Sequence, residues 1–254
     1  MPALYKIIDA IECKVPSSLK EEWDNVGFIL GDLNSEIKKA IIALDCTMDV
    51  INEATRKEAN LIITHHPFIF DGVKSIDLSS PFGKKISKLI ENKISVLSYH
   101  TNFDKAKSGT ADTLANVLGL NNITNLTNDE YSLGRIGDIK ECSLKDFILF
   151  VKEKLNIPCV KYTGNDDKII KKVAVVPGSG CEFYSISKSM GADLLVTAEV
   201  KHHIGIECME SDFAIVDAGH FETENIALCN LKSIIENLVE TEISESYTML
   251  FKYI

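Results

Sequence analysis

The chain has 254 residues, 45% of them hydrophobic and 25% charged, with a formal net charge of −10. It is too apolar for a disordered chain and long enough for one large α/β domain or two small ones with buried cores. Its 27 basic against 37 acidic side chains argue against a nucleic-acid binder that works by general phosphate neutralisation. The acidic excess lies in the second half, partly in the Glu-rich stretch Glu222–Glu245, which reads as a solvated helix face.

The opening MPALYKIIDAIECK is interrupted by Lys6, Asp9 and Glu12, with Leu4, Ile7, Ile8 and Ile11 on one side. That spacing predicts an amphipathic helix and not a signal peptide. In EEWDNVGFILGD, Asp24, Asn25 and Gly27 predict a shaped turn before a strand, with Trp23, the single tryptophan, buried in the core. Strands are predicted at Ile41–Leu44, Leu61–Thr64, Ile94–Ser98, Val173–Val176, Leu194–Thr197 and Phe213–Val216. Helices alternate with them near Met48–Ala59, Gly83–Asn92, Ser108–Leu118, Leu144–Leu155, Cys181–Met190 and Glu224–Val239. This order points to βαβ units and largely parallel sheets. Ser143 with Asp146 three residues on has the form of a helix cap opening the middle helix. Asn121–Asn128 and Thr163–Lys168 are polar and turn-rich, so they are the stretches expected to separate the halves.

The two halves echo one another. IIALD, LIITHH and ISVLSYHTNFD are followed in the second half by VAVVPGSG, LLVTAE and FAIVDAGHFETE. Each third strand ends in a histidine with a carboxylate four residues later: His100 with Asp104, and His220 with Glu224. The fold class expected is α/β with mostly parallel sheets, and two related α/β lobes would place their strand C-termini at comparable positions, where open α/β sheets build their sites. The divisions expected are residues 1–120, a connecting segment 121–172, and 173–254.

All six histidines (65, 66, 100, 202, 203 and 220) fall at or just after a predicted strand end, where open α/β sheets build their sites. In LIITHHP, Pro67 turns the chain off the sheet, so both imidazoles can face one crevice, although a pair without a ligand has the same pattern. Asp104 has an alternative role as a helix cap, and Glu224 one as a helix-dipole partner. Three His and two carboxylates exceed the needs of one structural zinc and suit two metals with open positions for water. No cysteine neighbours them, and the seven scattered cysteines lack any C-x-x-C pair, which points to a reducing, cytoplasmic setting. PGSG (Pro177–Gly180) reads as a tight turn, with an anion nest as the alternative. Glu199, His202 and His203 read either as outer contacts of the site or as surface residues. No apolar run approaches a membrane span of about 20 residues.

EEWDNVGFILGD, LIITHHP, SYHTNFD, LGRIGD (Leu133–Asp138), VAVVPGSG, ADLLVTAEVKHH and DAGHFETE, in this order, resemble the dinuclear-metal proteins known as GTP cyclohydrolase I type 2 homologues, or the Ngg-interacting-factor-three-like family. The resemblance covers essentially the whole chain. It implies two related α/β lobes, a homohexamer, and metal ligands at His65, His66, Asp104, His220 and Glu224, with Glu224 bridging. It places His100 close by, and His100, or one of His202 and His203, would be the candidate for proton transfer. Two divalent ions (Zn, Fe or Mn) would be the cofactors. The chain lacks the domain that longer members insert between the lobes. The activity implied is hydrolysis of a nucleotide or related small molecule, with opening of the guanine imidazole ring of GTP and release of formate as the named case. Phosphoester hydrolysis by the same metals and a non-catalytic metal-binding role are the alternatives.

Overall fold

The computed structural model describes residues 1–246. In chain order the elements are α1 (Leu4–Glu12), β1 (Gly27–Leu30), β2 (Lys39–Ala43), α2 (Met48–Arg56), β3 (Leu61–Thr64), α3 (Pro81–Glu91), β4 (Ser95–Ser98) and α4 (Thr101–Lys105). Then come α5 (Thr110–Val117), β5 (Asn121–Asn125), β6 (Arg135–Ser143), α6 (Leu144–Leu155), β7 (Lys161–Thr163) and β8 (Ile169–Val175). The chain continues through α7 (Tyr184–Ser189), β9 (Leu194–Thr197), α8 (His202–Glu210), β10 (Ala214–Asp217), α9 (His220–Glu224), α10 (Leu228–Ile235) and β11 (Glu240–Ile243). The fold is α/β with two sheets, as the alternating pattern predicts.

These elements form two compact units. Among the described residues, 1–107 and 228–246 make the first, and 108–227 the second. Segment 121–172 supplies β5, β6, α6, β7 and the start of β8 to the second sheet. The C-terminal α10 and β11 return to the first unit, where β11 pairs in parallel with β2. The helix predicted over Glu224–Val239 is accordingly interrupted: a 3₁₀ turn at Asn225–Ala227 separates α9 from α10 where the chain leaves one unit for the other.

The first sheet has the order β1-β4-β3-β2-β11 and is parallel except for β1 at its edge. Strands β3 and β4 are buried at every position, as expected for unbroken apolar runs covered on both faces. Leu4, Ile7 and Ile11 of α1 are buried, giving that helix the apolar face its spacing predicts. The second sheet, β5-β6-β8-β9-β10-β7, has a parallel centre of β8, β9 and β10. Its flanks β5, β6 and β7 are antiparallel, so parallel pairing is confined to the middle of this sheet. The internal echo is real at the level of topology: β2, β3, β4 and β8, β9, β10 are each three adjacent parallel strands in sequence order.

Helix starts follow local chemistry. Thr47, Ser80 and Ser143 each accept a hydrogen bond from the backbone N–H three residues on, and Pro81 occupies the first turn of α3. Each such cap contributes about 1 kcal/mol. The Glu222–Glu245 stretch is not one solvated helix face, although Glu236, Glu240 and Glu245 are exposed. Glu222 and Glu224 are buried, and Glu240 and Glu242 lie on β11 and pair with Lys39. Trp23, expected in the core, is 58% exposed. The backbone on its C-terminal side is held by the buried Asp24, which leaves the indole pointing outward.

One buried carboxylate fastens the returning C-terminal segment. Glu53 on α2 accepts from Ser244 Oγ at 2.6 Å and from the backbone N–H groups of Glu245 at 3.1 Å and Ser246 at 3.0 Å, and it pairs with Lys57 at 2.9 Å. Burial pushes its pKa up, but the donors Ser244, Lys57, Glu245 and Ser246 outweigh that and hold it well below the usual range. A depressed folded-state pKa stabilises above the unfolded value and loses that contribution as pH falls towards the folded one. Glu53→Ala should therefore lower the unfolding free energy by about 3 kcal/mol at pH 7. The difference between the variant and the parent should shrink below pH ~4, where the unfolded carboxylate protonates. Urea titrations at pH 7 and pH 3 check both statements.

Candidate metal centre

In the first unit, β3 and β4 deliver three imidazoles to one place. β3 ends at Thr64, whose hydroxyl donates to the His66 carbonyl at 2.7 Å and lies 2.9 Å from Ser98 Oγ. This hydroxyl shapes the turn in which two consecutive histidines face together. The His65 and His66 ring centroids are 5.2 Å apart, and His100 lies 5.2 Å from His65 and 5.5 Å from His66. One ring nitrogen of each lies within 4.8 Å of the others. Neutral imidazole is the form that binds metals, and three such rings meet here.

Each ring is oriented through Nδ1. His65 Nδ1 donates to the Tyr99 carbonyl at 2.8 Å, His66 Nδ1 to Asp45 Oδ1 at 2.9 Å and His100 Nδ1 to Asp24 Oδ1 at 3.0 Å. A proton held on Nδ1 leaves the Nε2 lone pair available, and this carbonyl- or carboxylate-backed imidazole is the arrangement by which metal-ligating histidines are positioned. Asp24 is 4% exposed. Burial raises its pKa, but hydrogen bonds from His100 and Thr101 and the nearby imidazole outweigh that and hold it at about 2.

The short helix α4 brings Asp104 one turn beyond His100, and Asp104 Oδ1 stands 3.5 Å from His65 Nε2. The N-cap position of α5 is Gly109, which has no side chain to cap the helix.

The second unit builds the same device after β10. Gly219, at φ 85°, turns the chain into α9, whose first and last residues are His220 and Glu224. One helical turn places His220 Nε2 3.1 Å from Glu224 Oε2. His220 Nδ1 donates to Glu199 Oε1 at 2.8 Å. Glu199 follows β9 and sits at φ 53°, a left-handed conformation unusual for a residue with a side chain. His202 and His203 are exposed at the start of α8.

The PGSG segment is a tight turn that packs against this pair. Gly178 has φ 61°, and a methyl group at its α-carbon would overlap Glu224 Oε1 and come within 3.2 Å of His220 Nε2. Its N–H donates to Thr223 Oγ1 at 3.0 Å. Thus Gly178 supplies the space the carboxylate occupies.

The donor chemistry fits divalent metals. Two ligand atoms about 2.1 Å from one cation are separated by about 3.0 Å at a right angle and 3.4 Å at the tetrahedral angle. The His220–Glu224 spacing of 3.1 Å falls in that range, and the His65–Asp104 spacing of 3.5 Å lies just beyond its upper end. Mixed imidazole and carboxylate donors without thiolate suit Zn, Fe or Mn.

Within the first unit the structure brings together His65, His66, His100 and Asp104, and within the second His220 and Glu224 with Glu199. Sequence reasoning gave no role to Asp45 and read Gly178 and Asp24 as turn residues only. Asp45 stands just beyond β2, at the same strand-end position that marks the histidines.

Gly178→Ala should displace the Glu224 carboxylate and force a strained backbone. Isothermal titration with Zn²⁺ should show at least a tenfold loss of affinity, while Gly191→Ala, where φ is 81° but nothing lies within 4 Å, controls for backbone strain.

The family model described as Duf34/NIF3 (NGG1p interacting factor 3) matches residues 2–250. A Clostridium acetobutylicum protein named "GTP cyclohydrolase 1 type 2 homolog" is 39% identical over 224 residues, covering 86% of this chain and 84% of that one. A Clostridium perfringens protein of the same name is 36% identical over 245 residues, covering 94% of each. Among solved structures, the Staphylococcus aureus hypothetical protein SA1388 superposes with a TM-score of 0.94 at 30% identity, covering 99% of both chains.

Proposed function

We propose, from the premise that the chain belongs to the Duf34/NIF3 (NGG1p interacting factor 3) family, that it is a dinuclear-metal-dependent hydrolase acting on a nucleotide or related small molecule. In this reading His65, His66, Asp104, His220 and Glu224 would hold two divalent ions drawn from Zn, Fe and Mn. The observation that carries it is the common state of four imidazoles: His65, His66, His100 and His220 each have Nδ1 tied to a carbonyl or carboxylate oxygen. Structural surface histidines have no reason to share that arrangement.

Bound divalent metals supply a strong nucleophile at neutral pH and stabilise developing negative charge. The chain's own residues do the rest. Asp45, the Tyr99 carbonyl and Glu199 hold the ligating rings in one tautomer and orientation. His100 accepts and returns the proton at Nε2, with Asp24 fixing its Nδ1 proton and stabilising the charged ring. The names of the relatives favour opening of the guanine imidazole ring with release of formate. The protein acts in the cytoplasm as a homo-oligomer, a hexamer, without a membrane or nucleic-acid partner; no helix among the described residues is long and apolar enough to cross a membrane.

Elemental analysis of the purified protein should give two metal equivalents per chain. His65→Ala and Glu224→Ala should each lose at least one, and an unchanged count removes the residue from the ligand set. Incubation with GTP should release formate. Release of phosphate instead makes the protein a phosphoesterase, and two bound metals with neither product make it a non-catalytic metal protein. His100→Ala should keep the metals and lower turnover by about 10²–10⁴-fold.

A further inference from the structure

Beside the histidine cluster of the first unit stand two aromatic rings that metal binding does not use. Trp23 is 58% exposed and Phe70 is 47% exposed. Their ring centroids are 5.7 Å apart and their planes differ by 35°, so the two form a tilted aromatic shelf. Both meet His100 edge-on, Trp23 at 6.0 Å and 70°, Phe70 at 6.4 Å and 69°. The shelf therefore begins where the imidazoles end.

The shelf is held in place. Next to Trp23, Asp24 bonds both His100 and Thr101, and Asn25 Nδ2 donates to the Ile69 carbonyl at 2.6 Å, tying the Trp23 loop to the Phe70 loop. On the other side, the Glu21 N–H donates to Thr101 Oγ1 at 2.9 Å and the Glu21 carboxylate pairs with Lys105 at 2.6 Å. Large aromatic side chains gain more from burial than almost any other group, yet here the surrounding hydrogen bonds keep two of them outside. Fixed aromatic faces next to a reactive centre are how proteins bind planar rings, by stacking that tolerates any base.

We propose that Trp23 and Phe70 form the platform on which the planar base of the nucleotide substrate stacks beside the His65, His66 and His100 cluster. The assignment of a substrate rests on the hydrolase reading above; the recognition of a planar ring does not.

Trp23 is the only tryptophan in the chain, so its fluorescence reports the platform directly. Guanosine 5′-monophosphate should quench that emission saturably, both in the metal-loaded protein and after treatment with a chelator. Ribose 5-phosphate, the same sugar phosphate without a base, should not. Phe70→Ala should weaken the guanosine 5′-monophosphate affinity about tenfold with metal content unchanged, and Trp23→Leu, followed by calorimetry, should do the same. Absence of quenching in protein that carries its metals overturns the platform. So does equal quenching by ribose 5-phosphate, or an emission that shifts with protein concentration alone, which would mark a contact between copies. Quenching in a protein that binds no metal upholds the platform and defeats the hydrolase reading, so the two fail separately.

Discussion

An imidazole can look two ways, and its usefulness to a cation depends on which nitrogen keeps the proton. In this protein that decision is made four times by an oxygen acceptor at Nδ1: the Tyr99 carbonyl, Asp45, Asp24 and Glu199. The acceptors are placed by the sheets. Tyr99 follows β4, Asp45 lies beyond β2, and Glu199 follows β9, so the register of parallel strands that positions each ligand also positions its support. A shift of one residue in any of these strands would turn ring and acceptor to opposite faces. The apolar runs that fill the strands thus matter to chemistry as well as to stability.

The same device occurs once in each unit. A buried parallel strand ends, a histidine follows, and a helix of five residues carries a carboxylate one turn later. Such a helix is too short to be stable alone and persists because the surrounding unit packs around it. Its brevity is useful, since one turn is the distance at which an imidazole and a carboxylate share a face. The units differ in what supports this device. The first sheet is parallel but for one edge strand, whereas the second has antiparallel strands on both sides of a parallel centre. What the units have in common is confined to the three strands that serve the donors.

Much of this was legible in the residues. Leu61–Thr64 and Leu194–Thr197 are short β-branched runs buried throughout, and histidines just past such runs stand out because little else accounts for their clustering. What escaped depends on long-range pairing or on ordinary residue types. Nothing local in Glu240–Ile243 says that it returns to β2, because a parallel pair needs a crossover whose length carries no register signal. Asp24 and Asp45 are common acidic residues, and Asp24 meets His100 76 positions away. Trp23 was misplaced because hydrophobicity argues for the core, while the hydrogen bonds of its neighbours decide otherwise. The glycine at 178 has the appearance of any turn until the Glu224 carboxylate is seen against it.

Two buried carboxylates show how the chain separates stability from chemistry. Glu53 and Asp24 both lie where burial alone would neutralise them, and both stay ionised because hydrogen-bond donors outweigh that cost. Around Glu53 the donors are Ser244, Lys57 and backbone groups, so the result is a structural clasp. Around Asp24 one donor is an imidazole at the donor cluster, so the same physics fixes an orientation. With its pKa held at about 2, Asp24 keeps its charge throughout the neutral range. The contact between His100 Nδ1 and that carboxylate leaves Nε2 as the ring nitrogen available to the donor cluster.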